Sequence, residues 1–139
     1  MLRAFKFVVL ALPLLLASSA CDSAIDDLPT TPDPVTVTET FTGNININGA
    51  ATHTFFTSAT GTVTATQTSL GETPPAQVGF SIGTFAGASC SLLITNDKAV
   101  VTSVVSGIVT TLGGSLCVRI YDVGSLTESV PYEIRIEHK

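Results

Sequence analysis

The chain predicts an all-β protein, a single antiparallel β-sandwich of seven or eight short strands that follows a signal peptide and a disordered linker. Three observations carry that prediction. Twelve of the 33 residues from Thr36 to Thr68 are threonine, a β-branched type that disfavours helix and suits strands. Apolar and polar residues alternate with period 2 in several runs, whereas no segment shows a 3.6-residue apolar period. Turn residues separate the runs at short intervals, the spacing of a sandwich.

Taken in order, the strands are expected near 36–47, 52–58, 62–70, 77–85, 90–95, 103–111, 115–122 and 131–137. The first ends in alternating Asn and Ile, Asn44 to Asn48, with Asn48-Gly49 as a hairpin turn. Gly61 separates the second from the third, where Thr62-Val63-Thr64-Ala65-Thr66 alternates. Gly71 to Pro75 is a loop, and Asn96-Asp97 reads as the turn after the fifth strand. Gly113-Gly114 precedes Leu116 to Tyr121, which has one aliphatic face. Val123-Gly124 leads towards Tyr132 to Glu137, where apolar and charged residues alternate strictly.

Residues 1–20 read as a signal peptide. Arg3 and Lys6 form a positive start, Phe7 to Leu16 an apolar run interrupted by Pro13, and Ala17 to Ala20 a small-residue cleavage region. The run is shorter than the roughly 17–25 residues a transmembrane helix needs. Cys21 follows directly, and this layout resembles a bacterial lipoprotein precursor, in which such a cysteine is acylated and becomes the new N-terminus. The usual signal has Leu three residues before the cysteine, and this chain has Ser18. The alternative is ordinary secretion or periplasmic residence, since Ser18-x-Ala20 also fits a secretory cleavage site. Residues 21–35 form an Asp/Pro/Thr-rich tether, a self-repelling, proline-stiffened spacer. Residues 36–139 form one small domain.

Three cysteines are an odd number for an exported chain. Acylation of Cys21 leaves Cys90 and Cys117 as a disulfide pair. A 28-residue closed loop gives about 3.6 kcal/mol in the chain-entropy model. The alternative is two buried free thiols. Without a CxxC, and with only His53 and His138 as further soft ligands, no metal and no cofactor are expected. From Cys21 onward four basic residues face eleven acidic ones, a formal charge of −7. That balance argues against nucleic acid as a partner. It also argues against attraction to anionic lipid head groups.

The strand order resembles the bacterial pre-peptidase C-terminal domain, a jelly-roll-like sandwich. The resemblance covers about Thr38 to Glu137 and rests on His53–Leu70 (HTFFTSATGTVTATQTSL), Val78–Phe85 (VGFSIGTF), Gly113–Asp122 (GGSLCVRIYD) and Pro131–Glu137 (PYEIRIE). It implies that the first piece is a strand–turn–strand hairpin and that the last two are adjacent core strands. The family's acidic pair, D-x-D-x-x-L, reads here Gln77-Val78-Gly79-Phe80-Ser81-Ile82, so calcium binding does not carry over. The family brings no catalytic residues.

Other candidate chemistry is weak. Asn44-Ile45-Asn46-Ile47-Asn48-Gly49 echoes a calcium loop, but Phe55 stands at its bidentate position. His53, between Thr52 and Thr54, reads as a sheet-surface or edge residue, since no nucleophile elbow accompanies it. His138 is expected to be mobile. Glu133 and Glu137, with Arg135 between them, read as a wet face protecting an edge. Asp122 and Glu128 flank a solvated loop. Gly79, Gly83 and Gly87 leave one strand face flat, allowing a close backbone approach or a bulge.

The expected function is non-enzymatic: a cell-envelope lipoprotein, held to the membrane by lipid on Cys21, that displays its sandwich to a protein or glycan. The first alternative is a carbohydrate-binding module, which needs exposed aromatic faces. The second, an accessory subunit of a secreted hydrolase, rests on family habit alone. No residue identifies the ligand.

Overall fold

The computed structural model describes residues 31–75 and 77–139. A compact unit runs from Asp33 to Lys139. Among the described residues it is all-β, with eight strands: β1 Val37–Ile45, β2 Ala50–Thr57, β3 Gly61–Ser69, β4 Val78–Ala86, β5 Ser89–Ala99, β6 Val104–Val109, β7 Gly114–Tyr121 and β8 Val130–His138. They form two four-stranded antiparallel sheets, ordered β1-β8-β3-β6 and β2-β7-β4-β5. The sheets pack face to face, so the sandwich expected from alternation is present, and the order is that of a jelly roll.

Alternation decides which side chains enter the core. Along β8, Val130, Tyr132, Ile134, Ile136 and His138 are buried, while Pro131 and Arg135 are exposed. Along β3, Val63, Ala65 and Gln67 point inward. Each fully buried aliphatic side chain stabilises the fold by about 1.5–3 kcal/mol. β4 departs from alternation, since Val78 to Gly83 are all buried. Its inner face carries Val78, Phe80 and Ile82. Its outer face carries Gly79, Ser81 and Gly83, small enough to be covered by other chain segments.

Pairing differs from expectation at several places. Only β4 and β5 form a hairpin within one sheet; every other connection crosses the sandwich. His53–Leu70 is therefore not a hairpin: β2 pairs with β7, and β3 with β6 and β8. Nor are the last two strands neighbours, since β7 lies between β2 and β4 while β8 lies between β1 and β3. Asn48-Gly49 does turn the chain, with Asn48 at φ 56° and Gly49 N–H donating to the Asn46 carbonyl at 2.8 Å. The turn passes from one sheet to the other. Alternation reports the buried face of a strand and carries no information about its neighbour.

Asn96-Asp97 is not a turn. β5 continues to Ala99, and the β4–β5 register shifts between Val78 and Phe80, opposite Asp97 and Lys98. The residues expected to end the strand form a bulge within it, and Asn96 Oδ1 accepts from Lys98 N–H at 3.0 Å. β8 is central, so Glu133, Arg135 and Glu137 protect no edge. They line the outer face of that sheet, where Arg135 pairs with Glu137 at 2.8 Å.

One carboxylate closes the end of the sandwich. Asp122 Oδ1 accepts from the N–H groups of Gly124, Ser125 and Leu126 at 2.8–3.1 Å. Its Oδ2 accepts from Asn48 N–H at 2.8 Å. The hydrogen bond from Asn48, followed by those from the loop, holds the Asp122 carboxyl below its ordinary 3.8 despite opposing desolvation. A carboxylate with a depressed native pKa contributes stability that is present above its unfolded pKa and lost as pH falls through the native one. Asp122→Ala is expected to lower the thermal midpoint by several degrees at pH 7. The gap to wild type should close as pH drops below about 4, measured by circular dichroism melts.

Candidate functional site

The sequence-predicted site residues fall into three groups. Cys21 lies outside the described residues. Cys90 and Cys117 form a disulfide, with Cα atoms 5.9 Å apart. The remaining candidates are not gathered into one site.

His53 does lie on an edge strand, β2, but not on the sheet surface. Its ring points between the sheets, stacks on Phe41 at 4.8 Å and meets the Tyr132 hydroxyl through Nε2 at 2.6 Å. Burial lowers its pKa from the ordinary 6.5 and raises that of Tyr132. His138 is not mobile: it is 3 % exposed, tilted against Phe55, and bonded through Nε2 to Glu39 Oε1 at 2.8 Å. Position in the strand explains both corrections, since each histidine falls on the inward phase of its alternation.

The His53 contact has a pH consequence. Folding favours its neutral form, so the unfolded chain binds the proton first on acidification. The stability tied to this residue is therefore present above pH 6.5 and declines below it, towards the lowered native pKa. Melts at pH 7.5 and 5.5 are expected to show a larger drop for wild type than for His53→Phe. Equal drops would assign the acid sensitivity elsewhere.

A second cluster, missed from sequence, covers the outer face of β4 and its neighbours. The Tyr121 ring lies over Gly79, where a Cβ would sit 2.1 Å from Tyr121 Cε2. The Arg119 guanidinium lies 5.8 Å from the Tyr121 centroid, and the Tyr121 hydroxyl donates to Asp97. Burial, then the Asp97 contact, pushes the Tyr121 pKa up to about 12. The cluster is a lid on a glycine: a side-chain ring comes close at Gly79, whereas the expected close backbone approach occurs at Gly83.

The surface with room for another molecule lies elsewhere. Between the edges of β5 and β6 the sandwich opens into an apolar cleft of about 280 Å³. Its floor is Val63, Ile82 and Leu116, with Ile94 and Val109 along its sides and the exposed Ile108 at its rim. The polar residues of its lining are Thr84, Thr110, Thr111 and Ser115, and no charged residue belongs to it. The cleft suits an uncharged apolar or amphipathic group, and its volume is near the small end for ligand sites. Leu93 and Ile108 of this lining are 68 % and 78 % exposed. A sequence signal existed: no Asp, Glu, Lys or Arg occurs between Lys98 and Arg119. A shallower trough on the outer face of the β2-containing sheet is lined by Thr54, Phe56, Phe85 and Ser115.

Comparison of the chain with protein-family models and with curated proteins finds no match. Among the described residues, no helix is long and apolar enough to cross a membrane.

Proposed function

We propose that this chain is a non-enzymatic cell-envelope lipoprotein. Acylated Cys21 anchors it, residues 21–35 hold the domain off the membrane, and the sandwich works by binding. The anchoring half rests on the sequence layout around Cys21 and on cysteine parity, with Cys90 and Cys117 bonded to each other. The binding half rests on one observation, the uncharged apolar cleft between β5 and β6, whose lining includes the exposed Leu93 and Ile108. Contiguous exposed apolar surface on a small domain marks an interaction site. The pre-peptidase C-terminal resemblance supports the reading only at the level of a β-sandwich, since the hairpin and the strand adjacency it implies are absent.

Cell fractionation tests the anchor. Wild type is expected in the membrane fraction and in the detergent phase, because each buried acyl CH₂ contributes about 0.8 kcal/mol. Cys21→Ser is expected in the soluble fraction. Wild-type protein that partitions like Cys21→Ser contradicts the proposal.

Carbohydrate binding is the second reading, favoured by one observation. Phe56 is 59 % exposed and shares the shallow trough with Phe85, Thr54 and Ser115. A glycan array bound by wild type and not by Phe56→Ala supports it; binding that survives the substitution removes it.

A further inference from the structure

We propose that the outer edge of β6 is the site at which two copies of this chain pair, antiparallel, to form an eight-stranded sheet across a two-fold axis at Ser106. β6 is an edge strand among the described residues, hydrogen-bonded to β3 on one side alone. Gln67 N–H donates to the Ser103 carbonyl at 2.9 Å. Alternate residues of an antiparallel ladder turn their backbone groups the same way. Val105 and Gly107 therefore face β3, while the N–H and C=O groups of Val104, Ser106 and Ile108 face away from the sheet.

Natural edge strands are guarded by charge, proline, bulges or a covering segment. β6 reads Val-Val-Ser-Gly-Ile-Val, with no charge and no proline, and its pairing with β3 has no register shift. Such a six-residue segment, left open, is an aggregation hazard. Closed pairing with a second copy removes the hazard, because an isologous contact uses up both edges at once.

Charge selects a second copy as the occupant. Copies of this acidic chain repel wherever their charged faces meet. Between Lys98 and Arg119 there is no charged residue, so β6 and the β6–β7 turn can meet their own image without that penalty. The side-chain pattern fits a two-fold at Ser106. In that register Val104, 51 % exposed, stands opposite the partner copy's position 108, and Ile108, 78 % exposed, opposite position 104. Both lie on the outer face of the sheet, where cross-strand aliphatic pairs stabilise it. The pairing does not depend on acylation of Cys21.

Two variants of the full chain, purified in detergent, test this. Paired residues directly opposite in a ladder have Cα atoms about 5.5 Å apart, within the range a disulfide spans. Under mild oxidation Ser106→Cys is expected to give a covalent dimer at least tenfold more abundantly than Thr38→Cys, on the β1 edge. Wild type is expected to sediment as a dimer. Ile108→Lys is expected to sediment as a monomer with an unchanged circular dichroism spectrum, since the side chain is exposed. The proposal is overturned if Ser106→Cys cross-links no better than Thr38→Cys, or if wild type is monomeric at about 100 μM. It is also overturned if wild type is monomeric and instead binds phosphatidylcholine vesicles through Ile108.

Discussion

Alanine at Gly83 is expected to destabilise the domain by about 3 kcal/mol or more, the upper end for overpacking a close-packed site. A Cβ there would lie 2.0 Å from the Ser91 carbonyl oxygen and 2.7 Å from its carbon. Both are backbone atoms, so no side chain can swing aside. The contact exists because the start of β5 folds over the outer face of β4. The β4–β5 register shifts between Ile82 and Gly83, where Leu93 is the extra residue on β5. The glycine series provides the controls. At Gly79 the obstacle is the Tyr121 ring, which can move at the cost of its Asp97 hydrogen bond, so Gly79→Ala is expected to be milder. Gly87 is not in a strand; it lies in the β4–β5 turn at φ 65° with nothing within 4 Å of a Cβ. Gly87→Ala is expected to cost about 1 kcal/mol, the left-handed backbone penalty alone. Denaturant midpoints for the three variants should rank Gly83 as most affected. A Gly83→Ala midpoint equal to that of Gly87→Ala would contradict the strand crossing.

Loss of the Cys90–Cys117 bond is the second large effect. The strand order places β4 between β7, which carries Cys117, and β5, which carries Cys90. A bridge between strands that are not neighbours requires one of them to come over the strand between. Gly83, opposite Cys117 in the ladder, is where that happens. The disulfide, the glycine and the Leu93 bulge are thus one device. Cys90→Ser with Cys117→Ser is expected to cost about 3.6 kcal/mol, the loop-closure figure for 28 residues. That corresponds to a drop in thermal midpoint of about 15 °C or more for a domain of this size. Reduction of wild type should reproduce the loss. An unchanged midpoint would mean that the crossing is held by packing alone.

Much of the fold was legible because burial on one face writes a period of two into the sequence. The eight strands, the Gly71–Pro75 loop and the close approaches at Gly79 and Gly83 follow from that signal and from the small residues. Pairing was not legible, since Leu116–Tyr121 and Tyr132–Glu137 look like neighbours by pattern yet lie in opposite sheets. Asn96-Asp97 misled because a bulge uses the same residues as a turn. His53 and His138 were misplaced because threonine neighbours and a terminal position say little about inward phase. The cleft was half legible: the charge-free stretch was present, but the splaying of β5 from β6 belongs to tertiary packing. Gly107 marks it, since a Cβ there would meet Ile94 Cδ1 at 2.9 Å.

We propose Cys21 as an anchor and the disulfide-tied sandwich as its cargo. Mass spectrometry of the N-terminal peptide, from protein isolated with the membrane fraction, tests it most directly. The expected peptide begins at Cys21, and its mass includes acyl chains on the cysteine. A peptide beginning at Cys21 with an unmodified thiol, or one that continues upstream through Ser18, would contradict it.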